Sequence, residues 1–266
     1  MDNYWYKQAG TPLFPELEWS RPENKLQAGK LLIVGGNEHG FVEPAEAFSA
    51  AEKAGIGVSR MLLPDSLRQF IGKTFTAGEL APTTPSGSLG KQALNPLLAN
   101  AAWADGVLLA GGIGRNSETT VLVETFLQKF SGKVTLVKDA ADAACQHPTP
   151  LLQRKDTLLV LAMGQLRRLG IEAHLSRAFT SEVGLVQLVD MLHDFTSHYS
   201  LSIITKHQHN YIVAANGQVS TTPVSDEASP IWRVTTAARA SVWWLQNPTK
   251  PFGALTASVW NSAPEH

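Results

Sequence analysis

Lys30-Leu31-Leu32-Ile33-Val34-Gly35-Gly36 and Asp105-Gly106-Val107-Leu108-Leu109-Ala110-Gly111-Gly112-Ile113-Gly114 follow one pattern, an unbroken apolar run that enters a glycine turn. A short continuous apolar run bounded by turn residues fits a strand buried on both faces, as in a parallel sheet covered by helices. Glycine has no Cβ, so a turn built from it lets backbone N–H groups come close to a phosphate or hydroxyl. Two such turns at strand ends predict a small-molecule site at Gly36, Asn37, Gly112 and Gly114.

The segments around these strands alternate. Pro44 to Ala54 reads as an alanine-rich helix stopped by Gly55, and 57–63 as the next strand. A helix begins near Pro64-Asp65-Ser66. Residues 72–90, rich in Gly, Thr, Ser and Pro, read as a loop or flap. Helices over 91–103 and 117–130, the latter capped by Asn116 or Ser117, enclose a strand at 105–110. Strands follow at 133–137 and 156–161, then a long helix from 181 to 198. Strands that alternate with helices indicate parallel βαβ units. After residue 200 the rhythm changes. Strands at 201–206, 211–215 and 218–222 come in quick succession, with Asn216-Gly217 as a two-residue hairpin turn. Two helices, 234–245 and 251–260, close the chain. Residues 1–29 form an irregular leader whose Leu13, Phe14, Leu17 and Trp19 are expected to pack on a body spanning 30–266.

Composition narrows the function. The 266 residues are 44% hydrophobic and 17% charged, enough for a large core, with a formal net charge of −1. That balance gives no electrostatic case for nucleic acid or an anionic membrane. No apolar run reaches the roughly 18 residues of a membrane helix. Cys145 is the sole cysteine, so no intrachain disulfide can form and a cytoplasmic setting is expected. Cys145 itself reads as a small buried residue. Gly35, Gly36 and Gly40 do not fit Gly-x-Gly-x-x-Gly, which argues against direct dinucleotide binding of the Rossmann kind.

Five stretches together resemble the ribokinase-like fold, and within it the nucleotide-dependent NAD(P)H-hydrate dehydratases. Leu32-Ile33-Val34-Gly35-Gly36-Asn37 resembles that family's first strand and Gly-Gly-Ser turn. Ala50-Ala51-Glu52-Lys53-Ala54-Gly55-Ile56-Gly57 resembles its alanine helix. Gly111-Gly112-Ile113-Gly114-Arg115 resembles its substrate-contacting Gly-Pro-Gly-Leu-Gly-Arg turn. Lys138-Asp139-Ala140-Ala141-Asp142-Ala143 resembles Asp-Ala-Asp-Ala-Leu, and Lys206 with the following strand resembles the Lys-Gly-x-x-Thr segment at the nucleotide. The resemblance implies a three-layer α/β/α fold, a mainly parallel sheet with a late antiparallel hairpin, and a nucleotide or nicotinamide nucleotide as ligand. It further implies ADP or ATP with Mg²⁺, nucleotide contacts at Lys206 and Asn210, and substrate contacts at Asp139. A homo-oligomer is compatible with it.

Three departures stand out. Ala162-Met163-Gly164-Gln165 replaces Pro-His-x-Gly-Glu, and Lys206-His207-Gln208-His209-Asn210 replaces Lys-Gly-x-x-Thr. Ser229-Pro230-Ile231-Trp232 stands where the family's Gly-x-Gly-Asp would open the penultimate helix with an anion hole and a general base. Pro has no N–H to donate, and an indole cannot abstract a proton. Asp226 is the nearest spare acid. Altered or lost catalysis is therefore expected. The alternatives are a non-catalytic metabolite-binding protein on the same fold and a small-alcohol or sugar kinase. His207 and His209, two apart on a strand, share a face and could hold a metal, but a polar hairpin edge explains them as well.

Overall fold

Strands β2 and β5, which carry the two glycine turns, lie side by side and parallel, with Leu31 opposite Gly106 and Val34 opposite Leu109. The computed structural model describes residues 4–71, 78–180, 182–224 and 232–260. In chain order, β1 (Trp5–Lys7) and the short α1 (Glu16–Trp19) precede β2 (Lys30–Gly35), α2 (Val42–Lys53), β3 (Val58–Pro64) and α3 (Arg68–Ile71). Then come β4 (Gly78–Ala81), α4 (Leu94–Trp103), β5 (Gly106–Gly111), α5 (Ser117–Lys129), β6 (Lys133–Val137), α6 (Lys138–Gln146) and α7 (Thr149–Leu152). The chain continues through β7 (Thr157–Leu161), α8 (Met163–Glu172), α9 (Leu185–His198), β8 (Leu201–His207), β9 (Asn210–Ala215), β10 (Gln218–Pro223), α10 (Trp232–Gln246) and α11 (Pro251–Trp260).

These strands form one sheet of ten in the order β1-β10-β9-β8-β7-β6-β5-β2-β3-β4. Only β9 runs against its neighbours. Side chains alternate across each strand, and the sheet divides the core accordingly. Leu32, Val34, Val107, Leu109, Leu136, Leu159 and Ile203 face a layer of α4, α5, α6, α8 and α9. Leu31, Ile33, Leu108, Leu158, Val160 and Ile204 face α2, α10 and α11. The result is the expected three-layer α/β/α arrangement. Each fully buried aliphatic side chain contributes about 1.5–3 kcal/mol, so the strand interiors dominate its stability.

The sequence reading changes at several points, and the helices α6, α7 and α8 are additions to it. The 72–90 stretch is not loop throughout, because Gly78–Ala81 pairs in parallel with β3 as the edge strand β4. Its signal is masked because Gly78 sits against the Met61 backbone, where a side chain would have no room. The late strands form the antiparallel meander that their quick succession implies, and the turn between β8 and β9 falls at Gln208-His209, where both residues have positive φ (44° and 59°). The leader is also not irregular throughout. Strand β1 lies parallel to β10, and the buried Gln8 side chain donates to Thr222 Oγ1 (2.9 Å) and the Thr256 carbonyl (3.2 Å). Leu17 and Phe14 pack with Trp243, Ala254 and Ala257, while Trp19, expected to pack as well, is exposed, and Arg21 lies over the Trp243 ring and donates to the Ala54 carbonyl.

Candidate functional site

The carboxyl ends of β2, β5 and β6 meet the first turns of α2, α6, α8 and α10, and the polar groups converge there. In open α/β sheets this end of the strands is where ligands bind. Gly35 pairs with Gly111 across a register shift, and the Gly36 N–H donates to the Gly111 carbonyl at 3.1 Å. Asn37 Nδ2 reaches the Gly112 carbonyl (2.6 Å), so the two glycine turns are tied together. Both turns need positive φ: Gly36 is at 87°, Gly111 at 90°, Gly112 at 69° and Gly114 at 79°.

Asp139, in the first turn of α6, is the carboxylate that these turns hold. Its Oδ2 accepts the Gly114 N–H at 3.0 Å, and the Gly112 N–H also points to it. The donors of the β5 turn thus already face an anion, one that belongs to the protein. Asp139 Oδ1 is buried and has no hydrogen-bond partner among the described residues. Burial pushes the Asp139 carboxyl above its ordinary range; the Gly114 and Gly112 N–H groups act against that shift, and the charge of Glu43 adds to it.

Around it stands a set of residues that the sequence reading did not single out. Glu43 Oε1 accepts from Lys138 Nζ at 2.6 Å. Burial alone would raise the Glu43 carboxyl, but the Lys138 bond, its own backbone N–H and the Lys138 charge outweigh it, so Glu43 lies below its ordinary value. Lys138 has φ 54°, which turns its backbone so that its carbonyl accepts from Gln165 Nε2 (2.7 Å). Gln165 Oε1 in turn accepts from the Ala162 N–H (3.1 Å) and from Arg233 (2.7 Å), in the first turn of α10. Burial lowers the Arg233 pKa, opposed by the charges of Asp142 and Asp139, and arginine stays protonated throughout. Signals existed for this set: Lys138 and Gln165 lie inside two quoted motifs, and Arg233 follows Trp232 directly.

The loop after β4 covers the β5 turn. Ser66 Oγ donates to the Gly87 carbonyl (2.9 Å), Asn116 Nδ2 to Ser86 Oγ (2.9 Å) and Thr119 Oγ1 to the Leu89 carbonyl (2.7 Å). A Cβ on Gly114 would lie 2.7 Å from Ser88 Oγ.

Gly36, Asn37, Gly112, Gly114 and Asp139 therefore come together, whereas Lys206 and Asn210 lie at the tip of the β8–β9 hairpin. Strand β8, which carries Lys206, is three strands from β5, roughly 14 Å at about 4.8 Å per strand, and β9, which carries Asn210, is one strand further. Lys206 points to the α10 side, with Nζ 6.0 Å from the Tyr211 ring centre, and that ring lies 5.7 Å from Trp232. The Asn210 amide is turned back onto the Gln208 carbonyl (2.7 Å). His207 is on the other face, buried and bonded to the Val183 carbonyl (2.7 Å). Among the described residues no group of three or more His, Cys, Asp or Glu could hold a metal ion. Asp226, like Ser229, Pro230 and Ile231, lies outside the described residues.

No protein-family model matches the chain. A ribokinase-like superfamily protein from Enterococcus faecalis V583 superposes over 98% of this chain and 86% of its own, with a TM-score of 0.74 and 14% identity. The fold is ribokinase-like. The ADP/ATP-dependent NAD(P)H-hydrate dehydratase of Bacillus subtilis, co-crystallised with ATP/Mg²⁺, shares this ribokinase-like fold over 95% of the chain and 87% of its own (TM-score 0.60, 13% identity). In sequence the chain resembles the bifunctional NAD(P)H-hydrate repair enzyme Nnr of Moorella thermoacetica, 31% identical over 117 residues. That match takes in 43% of this chain and 22% of the repair enzyme, so the chain spans only a minor part of the relative's length. No helix among the described residues is long and apolar enough to cross a membrane.

Proposed function

We propose that this protein binds a nucleotide or nicotinamide nucleotide at the carboxyl end of its sheet, on an NAD(P)H-hydrate dehydratase-like scaffold whose catalysis is altered or lost. The observation that carries the reading is Arg233. The first turn of α10 presents a half-buried guanidinium bonded to Gln165, and no carboxylate stands among the described residues of that turn. Trp232 fills the position where the resemblance places the general base and its indole cannot abstract a proton, while the permanent cation beside it favours an anionic ligand.

Lys206 and Arg233 are the cations that fit phosphate oxygens near α10, and the glycine turns with Asn37 and Asp139 fit the hydroxyls of the other end. Asp139 borders both regions, since its charge acts on Arg233, and its buried Oδ1 fits a Mg²⁺ entering with the phosphates, because Mg²⁺ is commonly held by one or two carboxylates plus substrate phosphate. The setting that goes with this reading is cytoplasmic. The test supplies purified protein with hydrated NADH and ADP or ATP and follows the return of NADH absorbance. Losing an oriented base or anion-hole donor costs about 10²–10⁴ in rate, so turnover at least about 10²-fold below the Bacillus subtilis dehydratase is expected. Comparable turnover contradicts lost catalysis. If Asp226→Asn abolishes that turnover, Asp226 is the acid.

A further inference from the structure

A cleft of about 390 Å³ opens beside the Gly36–Gly40 turn, lined by Glu38, His39, Phe41, Glu46, Leu67 and Phe70 among others. Its size is at the lower end of small-molecule sites. Two features set it apart from the turn site next to it. Its walls are apolar and aromatic, yet Phe70 is 75% exposed and Val42 58%, which is unusual for large side chains grouped around one hollow. Its charged rim is acidic: Glu38 and Glu46 line it, no Lys or Arg does among the described residues, and His39 sits 3.5 Å from Glu38. The Gly87 turn lies against the Glu38 side chain. Phosphate would be repelled here, so the cleft is not explained by the nucleotide reading.

We propose that the cleft between the Gly36–Gly40 turn, α2 and α3 is a second binding site, taking a flat aromatic cation such as an N-alkylated heteroaromatic ring. Aromatic rings attract a cation through their quadrupoles, Phe41 and Phe70 both line the cleft, and the two carboxylates supply the opposite charge at the rim. A neutral ring of the same shape gains the apolar contact and lacks both electrostatic parts. The site stands or falls separately from the nucleotide reading.

The experiment titrates 1-methylquinolinium and neutral quinoline, in parallel, into the full chain by calorimetry, with ADP as a third titrant. The cation is expected to bind about tenfold more tightly than quinoline. Phe70→Ala and Glu46→Gln are each expected to weaken the cation by about fivefold or more while leaving ADP unchanged. Both side chains are exposed, so the variants should melt as the wild type does. If either melts lower, Glu38→Gln replaces it. Equal affinity for the two rings, no binding of either, or cation binding indifferent to the variants overturns the proposal. Loss of ADP binding with retained cation binding overturns only the nucleotide reading.

Discussion

Gly111→Ala tests how the site is built, because three constraints meet at that atom. Gly111 has φ 90°, where an L side chain is strained. The added Cβ would lie 2.9 Å from Asp139 Oδ1, 2.9 Å from Lys138 Cβ and 3.3 Å from the Val137 carbonyl oxygen. Lys138 Cβ and the Val137 carbonyl belong to or adjoin the backbone and cannot swing away. Positive φ costs a residue with a Cβ about 1–2 kcal/mol, and overpacking a rigid site typically costs about 1–3 kcal/mol more. The sum is about 2–5 kcal/mol, which for a chain of this size lowers Tm by roughly 4–20 °C. Gly112→Ala is the internal control. It shares the backbone strain, but its Cβ is crowded only by the tip of Glu43, at 2.8 Å from Oε2, and meets the Gly36 nitrogen at an ordinary 3.5 Å. That tip can shift at the expense of part of its bond to Lys138, up to about 1 kcal/mol, so about 1–3 kcal/mol is expected. Urea unfolding of both variants at neutral pH supplies the comparison. If Gly111→Ala is no less stable than Gly112→Ala, the packing of Asp139 and Lys138 against the turn is wrong.

Other outcomes follow from the same geometry. Asp139 has a raised folded pKa, so over the window above its unfolded value of about 3.8 the native state holds more protons than the unfolded state, and stability falls as pH rises. Asp139→Asn should flatten that slope in pH-dependent urea unfolding; an unchanged slope refutes the assignment. Glu43 has the opposite sign, its contribution being present above about 4.5 and lost as pH falls through its lowered folded value. Glu43→Gln should therefore remove stability at pH 7 and change little well below pH 4, as read by thermal melts. Gly114→Val should weaken nucleotide binding in a protein that still folds, since the new side chain meets Ser88 Oγ; unchanged affinity in the folded variant counts against a ligand at that turn. We further propose that residues 1–29 stay docked as a leader on a 30–266 body. Limited proteolysis should spare this segment, and rapid cleavage there without loss of stability in the remainder refutes the docking.

The fold was legible because buried parallel strands announce themselves by continuous apolar runs, as at 30–35 and 105–110, and because Asn216-Gly217 permits few structures other than a tight hairpin. Asn116 likewise caps α5 as read, its side chain accepting the Glu118 N–H. Strand β4 was not legible, since Gly78 and Glu79 give no apolar alternation and the pairing depends on close approach to Met61. Helix α6 was hidden as well: its Lys138 start has positive φ and no capping side chain, so no local signal marks the boundary. At the site, glycines and Asp139 were readable from their turns. The Glu43–Lys138 pair spans 95 residues and the Gln165–Arg233 bond 68, distances over which side-chain partners leave no trace in one sequence.

The central claim is a nucleotide site at the carboxyl end of the sheet, and calorimetric titration of ADP into the wild-type protein and Lys206→Ala tests it most directly. Lys206 is half-buried at the hairpin tip, so its removal leaves the core intact. The account predicts saturable binding of one ADP per chain, weakened about tenfold or more without Lys206, the scale of one charge-assisted phosphate contact. No saturable heat with the wild type, or equal affinity in the two proteins, would contradict it.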